Sequence, residues 1–595
     1  MDTKEQSGTS TVHAAAFGSD AIADLLRALG LDYVALTPGA SFRGLHDSLV
    51  NHLGNREPEM LLCLHEEHAV AIAHGYARVT GRPMAVALHA NVGLMHATMA
   101  IFNAWCDRIP IFILGGVGPI DSVKRRPWVD WIHTARDMGA LVRGYTKWDD
   151  QPASVAAALE AMVRAYRIAT TPPCGPVYVN LDATLQEEPL ASVQPMPPLE
   201  RFAAPHSGDP PDDAVAQVAA EIAAASRPLF MIGRVSANAA DFAARVALAE
   251  RVGARVMTDI KTGASFPTRH PLHPYPPGLY VSAEAGALIR DADVIVSFDW
   301  IDLAGSLRQA CGGEWPRATI VSCSLDPYVH NGWSMDYQSL PPAQIAILAA
   351  PDRLIARLLD AVARRTTPIE PAVSPAARDT TAEPPRPADR ISIDDLARTT
   401  VRTLAPHRPS YIRLPLSWPG EHCDFAHPLD YIGFDGGGGI GSGPGMAVGA
   451  ALALRRSDRL PVAVVGDGDY LMGLTALWTG AHYRVPLLVI VANNQSFFND
   501  ELHQERVARV RGRPIENRWI GMRISDPAID LAALARAQGA IGLGPAASVD
   551  ELAAHLELAV RHVRDGALCV VDARVAPEYA RAVSSSLLRH IPARG

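Results

Sequence analysis

The chain has 595 residues, 48% hydrophobic, 20% charged and 6% aromatic. It is too long for one hydrophobic core, which stops growing near ~250–300 residues, and the composition is that of a globular protein, not a disordered or fibrous one. Fifty-four basic against 63 acidic residues give a net charge of −9, which argues against whole-surface affinity for nucleic acid or an anionic membrane.

From the amino end, Met1 to Ser10 is polar, without a signal-peptide apolar stretch, and a cytoplasmic location is expected. Asp20 to Leu29 has helical periodicity, Tyr33 to Thr37 is a short buried strand ending in Pro38-Gly39, and His68 to Thr80 is helical again. Met84 to His89 and Ile109 to Leu114 are apolar strand runs. A proline-rich stretch, Gln186 to Asp213, then suits an extended linker. Leu229 to Ile232, Val294 to Phe298 and Ile320 to Cys323 are strands of a second segment, and a second proline-rich linker runs from Thr366 to Arg390. Val462 to Val465 and Leu487 to Val491 are continuous apolar runs, as expected of strands covered on both faces. The last residues, from Pro577, read as a weakly helical tail. No apolar run reaches the ~18–20 residues of a membrane span. The seven cysteines are scattered and form no CxxC, so neither a disulfide framework nor a zinc site follows.

Strand–helix alternation throughout predicts an α/β protein of three doubly wound parallel-sheet domains, over about 17–185, 210–365 and 391–575, with a tail over 576–595.

The strongest chemical signal is Val465-Gly466-Asp467-Gly468-Asp469, followed by Val491-Ala492-Asn493-Asn494-Gln495-Ser496. Two buried strands each end in oxygen-bearing side chains, at the carboxyl edge where ligands bind in open α/β sheets. A carboxylate, an amide oxygen and a main-chain carbonyl suit a hard cation such as Mg²⁺, and the glycines let the main chain approach a diphosphate. A second motif is Leu64-His65-Glu66-Glu67-His68-Ala69 with Gly75-Tyr76-Ala77-Arg78. His65 and His68 are three residues apart, whereas the zinc-peptidase pattern needs four, so that reading is rejected. A third is the glycine run Gly436 to Gly445, interrupted by Ile440.

The Asn494 side chain follows Asp467 by 27 residues. That spacing resembles the motif of the thiamine-diphosphate-dependent superfamily that includes acetolactate synthases, oxalyl-CoA decarboxylases and 2-hydroxyacyl-CoA lyases. The resemblance implies pyrimidine-binding, central and diphosphate-binding domains. It implies thiamine diphosphate and Mg²⁺ as cofactors, with Asp467, Asn494 and the Ser496 carbonyl as metal ligands, and Gly39, Gly466, Gly468 and Asp469 at the cofactor. It selects Glu66, nine residues before Gly75, as the carboxylate that activates the cofactor's aminopyrimidine ring, and Ile440 as the residue that bends the cofactor. It also implies a site shared between subunits, in a homodimer or homotetramer.

Three further regions bear on the reaction. Gly93 to Ala97 is similar to a segment of the 2-hydroxyacyl-CoA lyases and oxalyl-CoA decarboxylases, but Asn91-Val92 stands where those families carry Gly-Pro. Asn91 is either a loop residue or an amide presented to the substrate. Glu501 opens an acidic, histidine-bearing segment after the metal ligands, either a solvated helix face or a base for the 2-hydroxyl proton. His89 and His133 are each either a buried structural histidine or a site residue. In the central segment, Gly233-Arg234, Lys261-Thr262-Gly263 and Ser324-Leu325-Asp326-Pro327 offer a site for an adenine nucleotide or the ADP moiety of CoA, with surface cations as the alternative. The expected function is a carbon–carbon lyase acting on a 2-hydroxyacyl-CoA. The alternatives are an acetolactate-synthase-like decarboxylase or carboligase of 2-oxo acids, and a non-catalytic cofactor-binding scaffold. The partner is a small-molecule substrate, not nucleic acid or membrane.

Overall fold

The computed structural model describes residues 14–192, 194–205, 207–325, 340–365 and 390–578. Three expectations fall wholly or mostly outside them: the second linker, the Asp326-Pro327 pair and the tail. The chain divides into two compact units, residues 1–73 with 82–205, and 74–81 with 206–595. Among the described residues no helix is long and apolar enough to cross a membrane.

The first unit contains a six-stranded parallel sheet in the order β2-β1-β3-β4-β6-β5. Its strands are β1 (Tyr33–Leu36), β2 (Glu59–Leu62), β3 (Met84–His89), β4 (Ile111–Val117), β5 (Trp148–Asp150) and β6 (Val177–Asp182). β3 and β4 are apolar and buried almost throughout because helices cover both faces of a parallel sheet. The helix Glu66–Thr80 begins after three residues beyond β2, and the helix Ala90–Cys106 follows β3 without an intervening loop residue. Residue types just past these strand ends are therefore delivered to one edge.

The second unit carries two parallel sheets. The central one, in the order β11-β10-β9-β7-β8, consists of β7 (Pro228–Ile232), β8 (Arg255–Met257), β9 (Val294–Phe298), β10 (Thr319–Ser324) and β11 (Ile345–Leu348). The other, in the order β12-β13-β14-β16-β15, consists of β12 (Pro409–Arg413), β13 (Leu460–Gly466), β14 (Leu487–Asn493), β15 (Ile541–Ala546) and β16 (Leu568–Arg574). Ile260 and Ala264, from the central part, join the core that contains Trp418, Tyr431 and Leu488. The Tyr431 hydroxyl donates to the Ile260 carbonyl at 2.7 Å. This shared core explains why two sheets form one unit. The strands expected from apolar runs all form: β7, β10, β13 and β14 are extended by one to three residues, β3 and β9 match, β1 ends one residue earlier, and β4 begins two residues later and ends three later. The first linker is less open than expected: Gln186 lies in the helix Ala183–Glu187, and Asp212 and Asp213 open the helix Asp212–Ala224.

His273, in the central part, is 5% exposed with Nε2 2.9 Å from Thr258 Oγ1. Burial pushes its pKa down to about 4. The folded state thus holds this proton less well than the unfolded chain, and the resulting stability is complete above the ordinary histidine pKa and lost as pH falls toward 4. Between pH 7 and 4 the wild type should lose about 3 kcal/mol more than His273→Gln. Denaturant midpoints of the two proteins at both pH values measure the difference, and parallel losses would refute it.

Candidate functional site

In the first unit the edge formed by the carboxyl ends of β2, β1 and β3 gathers Glu66, Ser41 and His89. Glu66 is the first residue of its helix and is 7% exposed. Its Oε2 lies 3.1 Å from His96 Nδ1, and the His96 ring stacks on His65 with centroids 5.0 Å apart. A Cβ on Gly93 would stand 3.2 Å from Glu66 Oε1, so glycine makes room for this carboxylate. His65, Glu66 and His96 present ligating atoms within 4.8 Å of one another. The fold thus groups His96, thirty residues away, with Glu66, which no local spacing reveals.

His89 ends β3. Its Nδ1 lies 2.9 Å from Ser41 Oγ and 3.4 Å from the Ser41 backbone N–H, and Ser41 Oγ accepts from the Ala90 N–H at 3.2 Å. Since the Ser41 N–H can only donate, Nδ1 is the acceptor and the neutral ring carries its proton on Nε2. Burial lowers the His89 pKa, the His133 ring lowers it further, and the Glu66 charge opposes both. The His133 ring meets His89 edge-on at 4.8 Å. Asn91 Nδ2 donates to the Ile132 carbonyl at 3.1 Å, while Asn91 Oδ1 is buried without a hydrogen-bond partner among the described residues. Asn91 and His133 therefore both tie the short helix Val129–Ile132 to the end of β3. Gly39 has its own role: a Cβ there would stand 2.3 Å from His89 Cβ, so only glycine admits the imidazole.

In the second unit Gly466 ends β13 and Asp467 opens the helix Asp467–Met472. Asp467 is 3% exposed, accepts from the Gly468 N–H at 2.8 Å and from the Gln495 N–H, and burial pushes its carboxyl up to about 6. Backbone N–H groups, among them those of Gly468, Gln495 and Ser496, act against that burial penalty. Asn494 Oδ1 accepts from the Ser496 N–H at 2.9 Å and retains a second lone pair. A Cβ on Gly466 would meet nothing within 4 Å, leaving open space beside this oxygen-rich cluster. The donor set fits a hard cation bound with a diphosphate. A Cβ on Gly468 would press on the Phe497 ring at 2.7 Å, which accounts for that glycine by packing.

Two expected roles need correction. Glu501 is not a free base beside the cofactor. It is 0% exposed, accepts from Ser496 Oγ and from Arg523 Nε at 3.1 Å, and faces Arg518 Nε at 3.5 Å. The cause is tertiary: residues 495–497 pair with 522–524, through Phe497 N–H to Met522 O and Ile524 N–H to Gln495 O, and this brings both arginines under the helix Phe498–Val510. Asp469 turns its carboxylate away from a ligand role, accepting from the Gly441 and Gly443 N–H groups and from Arg413. Ile440 is 39% exposed between Gly438 and Gly441, both at positive φ. In the central part Arg234 faces Asp299 at 3.5 Å and Lys261 faces Asp259 at 3.3 Å. A Cβ on Gly233 would stand 2.2 Å from the Asp299 carbonyl. These cations already meet carboxylates, so the described part of the expected adenine-nucleotide site offers no uncompensated positive charge.

Sequence reasoning missed Ser41, His96, Arg413 and Arg523. His96 and Ser41 lie within or beside recognised segments, but nothing in their spacing points to Glu66 or His89.

Three family models of thiamine pyrophosphate enzymes match: the N-terminal TPP binding domain over residues 17–143, the central domain over 215–329 and the C-terminal TPP binding domain over 416–573. A benzoylformate decarboxylase of Pseudomonas aeruginosa is 27% identical over 507 residues, covering 82% of this chain and 86% of that protein. The acetolactate synthase isozyme 1 large subunit of Escherichia coli is 25% identical over 509 residues, covering 82% and 84%. The crystal structure of a benzoylformate decarboxylase from Polynucleobacter necessarius superposes with a TM-score of 0.76 at 22% identity, over 95% of this chain and 100% of that one.

Proposed function

We propose that this chain, which belongs to the thiamine pyrophosphate enzyme family, is a thiamine-diphosphate- and Mg²⁺-dependent decarboxylase of 2-oxo acids. When bound, thiamine diphosphate supplies the nucleophilic carbon and the electron sink of the reaction. Asp467, Asn494 and the Ser496 carbonyl hold the metal, and the turn at Gly466 leaves room for the diphosphate. Glu66 holds or releases a proton at its carboxyl oxygen toward the aminopyrimidine ring. His89 would present Nε2–H to the substrate's carbonyl oxygen, where negative charge develops in the reaction.

The observation that carries this reading is the His89 cluster, a half-buried imidazole whose tautomer Ser41 fixes, beside Glu66 and edged by His133. The similarity to a benzoylformate decarboxylase favours it further. The 2-hydroxyacyl-CoA lyase reading keeps the Gly93–Ala97 segment in its favour but loses its base, since Glu501 is enclosed by Ser496 and two arginines. Incubation with a panel of 2-oxo acids and 2-hydroxyacyl-CoAs, with products identified by mass, separates the two. Consumption of acyl-CoAs alone would overturn the proposal. The acting form is taken to be a homodimer or a larger homo-oligomer, and full specific activity in a monomer would contradict that.

His89→Asn should lower kcat/KM on the preferred 2-oxo acid by roughly 10²–10³-fold. It should leave hydrogen exchange at C2 of the cofactor near wild type, because that step belongs to Glu66. Equal losses in both measurements would remove His89 from its role at the substrate.

A further inference from the structure

The glycine run Gly436–Gly445 leads into the first turn of the helix Gly443–Leu454, an arrangement whose amides ordinarily receive a phosphate. Here the chain supplies its own anion. Asp469 Oδ1 accepts from Gly441 N–H at 2.7 Å and from Gly443 N–H at 3.2 Å, and Asp469 Oδ2 accepts from Arg413 Nε at 2.8 Å. Arg413 also donates through Nη1 to Asp435, whose other oxygen accepts from Ser442 Oγ at 2.8 Å. The Ser442 hydroxyl lies 3.0 Å from the Gly439 carbonyl as well. The side chains of Arg413, Asp435 and Asp469 are 3%, 0% and 6% exposed, and the Phe434 ring lies 4.4 Å from the guanidinium.

These contacts bracket a single exposed residue. Ile440 sits between Gly439, met by Ser442, and Gly441, met by Asp469, and the glycines at 438 and 441 have φ of +67° and +102°. A backbone with that freedom does not fix Ile440 by itself.

We infer that Asp469, held by Arg413, is a positioning residue that sets Ile440 against the ring portion of the cofactor. This rests on the family reading that Ile440 meets the cofactor's rings. It assigns Asp469 no contact with the diphosphate or the metal.

The test compares two probes on cofactor-free protein in the presence of Mg²⁺, by calorimetry: thiamine diphosphate, and inorganic pyrophosphate, which has no rings for Ile440 to hold. Asp469→Ser should weaken thiamine diphosphate binding by about tenfold or more, the scale of losing a hydrogen bond to a charged group, and leave pyrophosphate binding as in the wild type. Ile440→Ala should give the same split, and the double variant should lose no more than either single one. An equal loss for both probes means direct diphosphate contact or general damage and overturns the inference. So does an unchanged thiamine diphosphate affinity, or additive losses in the double variant. Should Asp469→Ser fail to fold, Asp469→Asn carries the same comparison, since it keeps an acceptor for the two glycine amides while turning its NH₂ toward Arg413. Failure of the family reading has a separate signature: the wild type would not bind thiamine diphosphate at all.

Discussion

Glu66→Gln should retain thiamine diphosphate and lose about 10²-fold or more of the hydrogen exchange at its C2 carbon, and with it turnover. The substitution is nearly isosteric, and the space that Gly93 leaves beside Oε1 and the His96 contact at Oε2 both accommodate an amide. The fold and cofactor affinity should therefore persist. What changes is the proton: a carboxyl group shares one with a ring nitrogen and takes it back, whereas a carboxamide does not ionise in this range. Exchange of C2 hydrogen for deuterium in bound cofactor, read without substrate, isolates this step. Near-normal exchange in the variant would withdraw the role from Glu66. A protein that binds the cofactor and shows no exchange even in the wild type would be a scaffold, not an enzyme.

Removal of the Asp467 carboxylate should abolish cofactor retention. This group bears a large burial penalty, visible in its raised pKa of about 6, which backbone N–H donors oppose. A divalent ion at this position would supply the missing countercharge and hold the diphosphate at the same time. Asp467→Ala should therefore weaken thiamine diphosphate binding in Mg²⁺ by at least ~100-fold, beyond the range for residues that only support metal ligands. The strands β13 and β14 are fully apolar up to the turn, so the folded core should survive. Equilibrium dialysis with and without a chelator measures the effect. Tight binding by the variant with Mg²⁺ chelated would mean that the metal and Asp467 are not what holds the cofactor.

The two assignments differ in how the sequence reaches them. Asp467, Asn494 and Ser496 are legible because strand ends in a parallel sheet fall at one edge, and β13 and β14 are adjacent. Two local motifs then suffice to predict a joint site. Glu66 is legible only through the surrounding Gly-Tyr-Ala-Arg pattern, since a glutamate at a helix start is otherwise an ordinary end residue. Glu501 shows where such reasoning stops. Its neighbours in sequence are polar and suit a solvated helix face, yet the residue is fully buried, because the arginines that compensate it come from a segment about twenty residues later.

The apolar runs and their glycine and proline boundaries by themselves determined three parallel sheets, their approximate extents, and the oxygen-bearing turn at the end of β13. Strand burial and strand-end chemistry are local properties, and a parallel sheet converts them directly into position. Tertiary structure decided the rest. It placed His96 on Glu66, fixed the His89 tautomer through Ser41, enclosed Glu501, and turned Asp469 toward its own glycine loop. Each of these depends on where a charged or polar group finds a partner once buried. That partner is set by close approach across the fold, where no spacing along the chain records it.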